Sequence, residues 1–154
     1  GKWIYFSSLR SGQSEIWKMP SEGGVPVQLT NSGGHTPWEA KDGRHVIYMT
    51  MGNRGLRIVS ANGGPPSELV GPLHTYPSGF AVTEDAVYYS APPNSRTERF
   101  IWEFRLSTKR ARPIAVVPHP FGLGMSASPD GRYLAFDQLD EIDSDLMFVK
   151  DFQP

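Results

Sequence analysis

The sequence repeats one pattern four times, and this repeat constrains the fold more than any other feature. Each copy opens on a segment in which apolar and polar residues alternate, and these segments are 1–8, 43–50, 84–91 and 131–138. One aromatic residue lies at the same place in each segment and recurs at intervals of 42, 41 and 47 residues; the four are Phe6, Tyr48, Tyr89 and Phe136. Alternation with a period of two is typical of a half-buried β-strand. A fixed period of this length is typical of a repeat architecture.

Three more strands are predicted around each alternating segment. The next strand follows a variable loop, at 15–19, 55–59, 100–104 and 145–149. The third follows a turn, at 25–30, 65–70 and 113–117, and it has a proline near its start in each case. Because proline lacks the hydrogen-bond donor that a ladder needs, the third strand is expected at the outer edge of its sheet. A fourth, inner strand precedes the next copy, at 36–40, 79–82 and 123–128. Four strands in about 42 residues indicate one propeller blade.

Two segments carry a resemblance to a known family. Residues 126–136, which read Ser-Ala-Ser-Pro-Asp-Gly-Arg-Tyr-Leu-Ala-Phe, resemble the opening of a TolB-type (WD40-like, PD40) repeat, and residues 4–30 resemble the rest of that repeat. The likeness extends over the whole chain and is weakest in the third copy, where Thr-Glu-Asp-Ala at 83–86 replaces the Ser-Pro-Asp-Gly turn. The resemblance implies an all-β β-propeller of four-stranded antiparallel blades. It also implies a bacterial protein-binding platform or sensor domain, and on this ground alone a periplasmic or extracytoplasmic location is favoured.

The predicted blades do not add up to a full ring. We expect a single propeller segment over 1–154, with repeats at about 1–30, 31–70, 71–117 and 118–154. A six-bladed ring would need about 250 residues. Three interpretations stay open: the chain is a piece of a longer protein, two chains pair to complete a ring, or four blades close alone with an end strand missing. The first two are favoured because an open set of blades leaves sheet surfaces uncovered.

Composition excludes several classes of function. With 15 Lys and Arg against 16 Asp and Glu, the net charge is -1, which gives no electrostatic footprint for nucleic acid. No stretch approaches the roughly 20 apolar residues of a membrane helix, so no membrane insertion is expected. The chain has no cysteine, which excludes disulfides, thiolate metal sites and thiol nucleophiles.

The loops before the inner strands hold the candidate ligand-binding residues. Each begins with a histidine and contains an aromatic residue two or three positions later, and the set is His35, Trp38, His74, Tyr76, His119 and Phe121. In a ring these loops would enter the central channel, where three imidazoles could ligate a transition metal. The resemblance adds that TolB-like lyases of pectic sugars use histidines and a metal in such a channel. Alternatively, a duplicated repeat inherits its loop histidines, which then only bind backbone.

No catalytic residues are predicted, because a Gly-x-Ser-x-Gly elbow and a glycine-rich phosphate loop before a helix are both missing from the sequence. The acidic run 137–145 could offer oxygen ligands to calcium, but its spacing does not match an EF-hand, and a solvated loop is the preferred interpretation. We therefore predict a non-catalytic scaffold without a cofactor that binds a protein or peptide partner through loops of one face, the channel mouth or an open sheet edge. The alternatives are a carbohydrate-binding or metal-dependent, polysaccharide-lyase-like propeller that uses the channel histidines, and a structural unit that completes a ring as a homodimer.

Overall fold

The described part of the chain consists of short antiparallel strands and no helix. The computed structural model describes residues 1–50, 55–71, 79–91, 99–117 and 121–138. The strands are β1 (Trp3–Ser8), β2 (Glu15–Pro20), β3 (Val27–Gln28), β4 (His35–Glu39), β5 (His45–Met49), β6 (Leu56–Ser60), β7 (Ser67–Val70), β8 (Phe80–Val82), β9 (Ala86–Ala91), β10 (Arg99–Arg105), β11 (Arg110–Val117), β12 (Phe121–Ala127) and β13 (Leu134–Gln138). No helix in these residues could span a membrane.

The strands form four sheets that follow one another along the chain. Sheet A has the order β1-β2-β3, sheet B β4-β5-β6-β7, sheet C β8-β9-β10-β11, and sheet D contains β12 and β13. The four alternating segments of the sequence become β1, β5, β9 and β13. The inner strand precedes each of the last three, and β4 lies against β1 while β12 lies against β8. In the described residues, sheet A has no inner strand beside β1.

The strand register repeats from sheet to sheet. The aromatic residue that sets the sequence period lies opposite the same position of the next strand in each complete hairpin: Phe6 opposite Trp17, Tyr48 opposite Arg57, and Tyr89 opposite Trp102. Two residues earlier, the pairs are Ile4 with Met19, Val46 with Val59, and Val87 with Phe104. Because side chains alternate between the two faces of a strand, this shared register gives equivalent residues the same facing direction in every sheet.

The outer strands differ from the prediction in length. They do lie at the sheet edges, but β3 contains only two residues and starts after Pro26, whose nitrogen cannot donate to a ladder. In contrast, β11 begins at Arg110, inside the predicted turn, and continues through Pro113. A register shift between Ile101 and Trp102 of β10 accommodates this proline. The predicted strand at 145–149 lies outside the described residues.

Three apolar clusters hold neighbouring sheets together. Sheets A and B share Ile16, Leu29, Val46, Tyr48, Val59 and Ala61. Sheets B and C share Ile47, Met49, Leu56, Leu69, Phe80, Val87, Tyr89 and Phe104. Sheets C and D share Ala81, Ile101, Val117 and Met125. Each cluster draws on alternate residues of facing strands, which is how stacked sheets bury a common core.

Candidate binding surfaces

His35 is held by the neighbouring sheet. It is the first residue of β4, and its Nδ1 lies 3.2 Å from the Ser14 hydroxyl oxygen, which also donates to the Gly34 carbonyl at 3.0 Å. The next residue, Thr36, has a φ of 50°, and the β4–β5 register shifts between His35 and Trp38. The His35 ring is half-buried and has a protein partner, so it takes part in the contact between sheets A and B.

Trp38 presents an accessible aromatic surface on the inner strand of sheet B. Its side chain is 38% exposed, and its ring meets the buried Phe80 ring of β8 edge-on, with centroids 6.5 Å apart and planes at 62°. This contact joins two inner strands and leaves part of the indole open for a ligand. Trp38 is thus the described member of the candidate set with an open aromatic surface.

Most of the remaining candidates lie outside the part of the chain that the structure describes. His74, Tyr76 and His119 lie outside the described residues, and Phe121 is the first residue of β12. Among the residues that the structure describes, no three His, Cys, Asp or Glu side chains group as metal ligands would. The three-histidine metal site stays a prediction.

No described strand pairs with one side of β1, and this side is here called the β1 edge; its side chains are not among the candidate residues that the sequence predicts. Trp3 and Ile4 are 39% and 46% exposed. The Lys18 ammonium lies 4.2 Å from the centroid of the Trp3 ring and donates to the Ala61 carbonyl oxygen at 2.5 Å. Cation–π contact and hydrogen bond together fix the Trp3 side chain beside this edge.

A hydrogen bond ties β1 to the inner strand of sheet B. The Tyr5 hydroxyl donates to Glu39 Oε1 at 3.2 Å. Burial, the negative charge of Glu39 and this hydrogen bond raise the pKa of Tyr5 to about 12. The phenol therefore remains a donor over the physiological pH range and keeps β4 beside β1.

A groove of about 600 Å³ lies between sheets B and C at the end where the short turns are. Its wall includes Asp42 and His45, whose Oδ2 and Nδ1 are 2.6 Å apart. Burial raises the pKa of Asp42, but hydrogen bonds from His45 and from the Arg44 backbone N–H outweigh it and hold the pKa below its usual value. Asp42 also accepts from the His45 N–H, so the pair stabilises the β4–β5 turn. Besides this pair, two lysines and two glutamates line the groove, and this mixture of charges favours no one class of ligand.

Two buried carboxylates are fully engaged by neighbouring donors. Glu15 accepts from Gln13 Nε2 at 2.6 Å, from Thr30 Oγ1 at 2.5 Å and from the Gly33 N–H at 3.0 Å. Glu103 on β10 accepts from Arg112 Nε at 2.5 Å and from an Arg105 guanidinium nitrogen at 2.8 Å. Burial raises the pKa of Glu103, but the hydrogen bonds from the two arginines together lower it by more than burial raises it. The pKa of Glu103 therefore lies below its usual value. These contacts assign both carboxylates to the packing of their sheets.

The stack of antiparallel sheets, three of which have an inner strand among the described residues, defines the fold as that of a β-propeller. Its described strands give the chain a TolB-like β-propeller fold, as comparison with solved structures shows. TolB from Acinetobacter baumannii superposes with a TM-score of 0.68 at 11% identity, covering 86% of this chain and 35% of that one.

Proteins of other functions share this fold. A chain of a nidogen/laminin complex gives a TM-score of 0.69 at 14% identity and covers 89% of this chain and 52% of that one. Oligogalacturonate lyase from Vibrio parahaemolyticus gives 0.68 at 13% identity, with coverages of 94% and 45%. At these identities the likeness concerns the fold alone.

Sequence comparison finds similarity over a smaller part of the chain than structure comparison does. No protein-family model matches it. An uncharacterized protein of Agrobacterium fabrum is 35% identical over 52 residues, which are 32% of this chain and 18% of that protein. The chain therefore spans a small part of this relative, and about a third to a half of the solved propeller chains above.

Proposed function

We propose that the chain is a non-catalytic propeller scaffold that binds an extended segment of a protein or peptide partner along the β1 edge. The observation that carries this proposal is the contrast between sheet A and the other sheets. In sheets B, C and D an inner strand pairs with the strand equivalent to β1. Among the described residues nothing pairs with that side of β1. Strand addition to an exposed edge is a general mode of peptide recognition.

The occupied sheets indicate which sequence the edge would accept. In sheet C, Phe80, Ala81 and Val82 lie opposite Tyr89, Tyr88 and Val87. In sheet D, Met125, Ser126 and Ala127 lie opposite the equivalent residues of β13. The corresponding residues of β1 are Phe6, Tyr5 and Ile4. We infer an antiparallel partner strand with the pattern apolar, small, apolar, whose apolar side chains lie opposite Phe6 and Ile4.

The outer edges of the sheets are protected in a way that the β1 edge is not. Proline stands beside or within every described outer strand: Pro26 before β3, Pro66 before β7 and Pro113 inside β11. In β11 a bulge at Ile114 adds to this protection. Proline and bulges prevent unwanted pairing at edges. Residues 3–8 contain no proline and pair with β2 in one unbroken register, so β1 carries neither of these protections.

The comparisons support binding only by analogy of fold. One structural neighbour was solved in a complex between two proteins, and another is a lyase. Protein binding is favoured here because the described residues provide an edge for it, whereas the lyase-like alternative depends on His74 and His119, which lie outside them.

The test uses a strand taken from the chain itself. A peptide of residues 79–85 contains the inner strand of sheet C and two acidic residues for solubility. We expect it to bind the chain saturably and to change the tryptophan emission, because Trp3 and Trp17 lie in β1 and β2. A control peptide in which Phe80 and Ala81 exchange places puts the aromatic ring on the opposite face and should bind at least about tenfold more weakly, about 1.4 kcal/mol.

Backbone chemistry separates strand addition from ordinary apolar contact. Methylating alternate peptide nitrogens that face β1 removes ladder donors, while methylating the other nitrogens leaves them intact. We expect only the first set to abolish binding. Equal binding of both methylated sets, or no binding of the parent peptide up to millimolar concentration, would overturn the proposal.

A further inference from the structure

The turn between β6 and β7 contains an exposed Asn–Gly pair. Asn62 is exposed and follows the buried Ala61, and Gly63 adopts a φ of 84°. The Gly63 N–H donates to the Ser60 carbonyl oxygen at 2.9 Å and closes a β-turn around Ala61 and Asn62. The Asn62 backbone N–H lies 3.1 Å from the Ser60 hydroxyl oxygen, but the Asn62 side-chain amide has no hydrogen-bond partner in the described part of the chain. This amide is therefore free to rotate towards the nitrogen of Gly63.

The glycines after Asn62 leave the backbone accessible. An added Cβ atom at Gly63 or at Gly64 would meet no atom within 4 Å. Glycine has no side chain to hinder an approach to its nitrogen, and opening this turn costs a single backbone hydrogen bond. Elsewhere in the sequence, asparagine stands before serine or arginine, at Asn31, Asn53 and Asn94. The Asn62–Gly63 bond thus combines the least hindered following nitrogen with an unbound amide.

Two Asp–Gly turns among the described residues have the same backbone but hold their side chains. In both, the glycine N–H donates to the carbonyl three residues earlier at 2.9 Å, the distance found at Gly63. Asp42 Oδ2 lies 2.6 Å from His45 Nδ1, and Asp130 Oδ2 accepts from Arg132 Nε at 2.6 Å. These contacts keep both carboxylates directed away from the following nitrogen, and an ionised carboxylate is a poorer target for a nucleophile than an amide. The side chain, and not the turn, distinguishes Asn62 from these two residues.

We propose that Asn62 is a site of spontaneous deamidation, a covalent modification that consumes only water. The Gly63 nitrogen loses its proton and attacks Cγ of Asn62. The new C–N bond closes a five-membered succinimide ring, the bond from Cγ to the amide nitrogen breaks, and ammonia leaves with the proton. Water then opens the ring at either carbonyl, adding OH to the carbon and a hydrogen to the nitrogen. The products are isoaspartate, in which the main chain runs through Cβ and Cγ, and aspartate.

The modification alters the contact between sheets A and B. Ala61, the residue before Asn62, belongs to the apolar cluster that the two sheets share, and its carbonyl oxygen accepts from the Lys18 ammonium at 2.5 Å. Isoaspartate lengthens the main chain by one carbon atom directly after this residue and disrupts the turn closed by the Gly63 N–H. We expect the contacts of Ala61 to weaken as a result. This inference concerns the β6–β7 turn and does not depend on peptide binding at the β1 edge.

Peptide mapping by mass spectrometry, after incubation of the chain in mildly alkaline buffer, tests the site. Position 62 should gain the mass that results when OH replaces NH2, with isoaspartate as the larger product. The gain should be at least about tenfold faster at Asn62 than at Asn31, an exposed asparagine that precedes serine. Asn62→Gln is the matched control: it keeps an amide but would have to close a larger ring, so it should show no gain at this position.

Asp42→Asn separates the effect of the structure from that of the dipeptide. It creates a second Asn–Gly pair in a turn where the side-chain oxygen accepts from the Arg44 and His45 N–H groups. The amide introduced there should deamidate at least about tenfold more slowly than Asn62. Equal rates at the two positions, or no mass gain at position 62 by the time Asn31 has reacted, would overturn the proposal.

The effect on the two sheets is measured on the same incubated samples. The isoaspartate form of the parent chain should unfold at a lower urea concentration than the fresh chain, while the midpoint of Asn62→Gln should not change during the incubation. An unchanged midpoint for the fully modified chain would refute the effect on the contact between sheets A and B.

Discussion

Gly34 lies where sheets A and B come closest, and adding one methyl group there tests how tightly the two sheets pack. A Cβ atom at Gly34 would lie 2.7 Å from Cγ1 and 3.0 Å from Cδ1 of Ile16, and 3.0 Å from Cδ2 of Tyr48. Both of those side chains are fully buried. The φ of Gly34 lies outside the left-handed region, so alanine meets a steric obstacle here and no backbone one.

The expected cost of Gly34→Ala follows from these distances. Inserting a methyl group into a well-packed core costs about 1–3 kcal/mol. Lower entropy of the unfolded chain returns about 0.4–1 kcal/mol when glycine becomes alanine. The free energy of unfolding should therefore fall by about 1–2 kcal/mol, measured by urea titration with tryptophan fluorescence. Gly71→Ala is the control, because its nearest atom, Glu68 Oε1, is 3.8 Å away, and its effect should stay within about 0.5 kcal/mol.

A double-mutant cycle then identifies the cause. Ile16→Ala alone removes a fully buried side chain and should cost about 2–5 kcal/mol. In combination, the new methyl group of Gly34→Ala occupies space that Ile16 has vacated, so the double variant should lose less than the sum of the single losses, by about 1 kcal/mol or more. Two results would refute the close approach of the two sheets: single losses that add up to the loss of the double variant within about 0.5 kcal/mol, or a Gly34→Ala variant that is as stable as the parent chain.

Two further predictions concern the buried carboxylates. Thr30→Val removes a hydroxyl donor to Glu15 and should lower the free energy of unfolding by about 1–3 kcal/mol. The control Thr108→Val, in an exposed turn, should change it by less than about 0.5 kcal/mol. Equal urea midpoints for the two variants would contradict the role of the hydrogen bonds around Glu15. Glu103 has a lowered pKa in the folded state, so its ionised form contributes stability above the unfolded pKa of about 4.3, and this contribution is lost as the pH falls through the lower folded value. The stability difference between the parent chain and Glu103→Gln should accordingly shrink between pH 7 and pH 3, and a difference independent of pH would contradict the role of the two arginines.

The sequence predicts the strands because their signals are local. Alternation identifies β1, β5, β9 and β13, and the recurring aromatic residue identifies their shared register. The prediction was less accurate at Pro113, which was expected to begin a strand: β11 starts three residues earlier, and a bulge at Ile114, next to the proline, shifts its register against β10. A bulge depends on both paired strands, and so the pattern of one strand cannot reveal it.

The candidate surfaces were harder to predict because they depend on contacts between distant residues. The bond between Ser14 and His35 and the ring contact between Trp38 and Phe80 join different repeats. The spacing of the histidines in the sequence does not predict that Ser14 contacts His35 or that Phe80 contacts Trp38. The β1 edge agrees with the predicted strand count, in which the first repeat contains one strand fewer than the second and an open sheet edge is among the expected binding surfaces. Its unbroken register against β2 becomes visible only in the structure.

The unequal sizes of the three apolar clusters have a consequence for cooperativity. In a linear stack each sheet is coupled only to its neighbours, so stability divides into intrinsic and nearest-neighbour contributions. The coupling between sheets B and C involves eight buried residues, and that between C and D involves four, all but one of them from sheet C. The central pair of sheets forms the most cooperative unit of the described chain. Among the described residues, sheet D contributes one buried side chain, that of Met125, to the weaker cluster, so β12 and β13 should separate from sheet C at a lower free-energy cost than sheet B separates from sheet C.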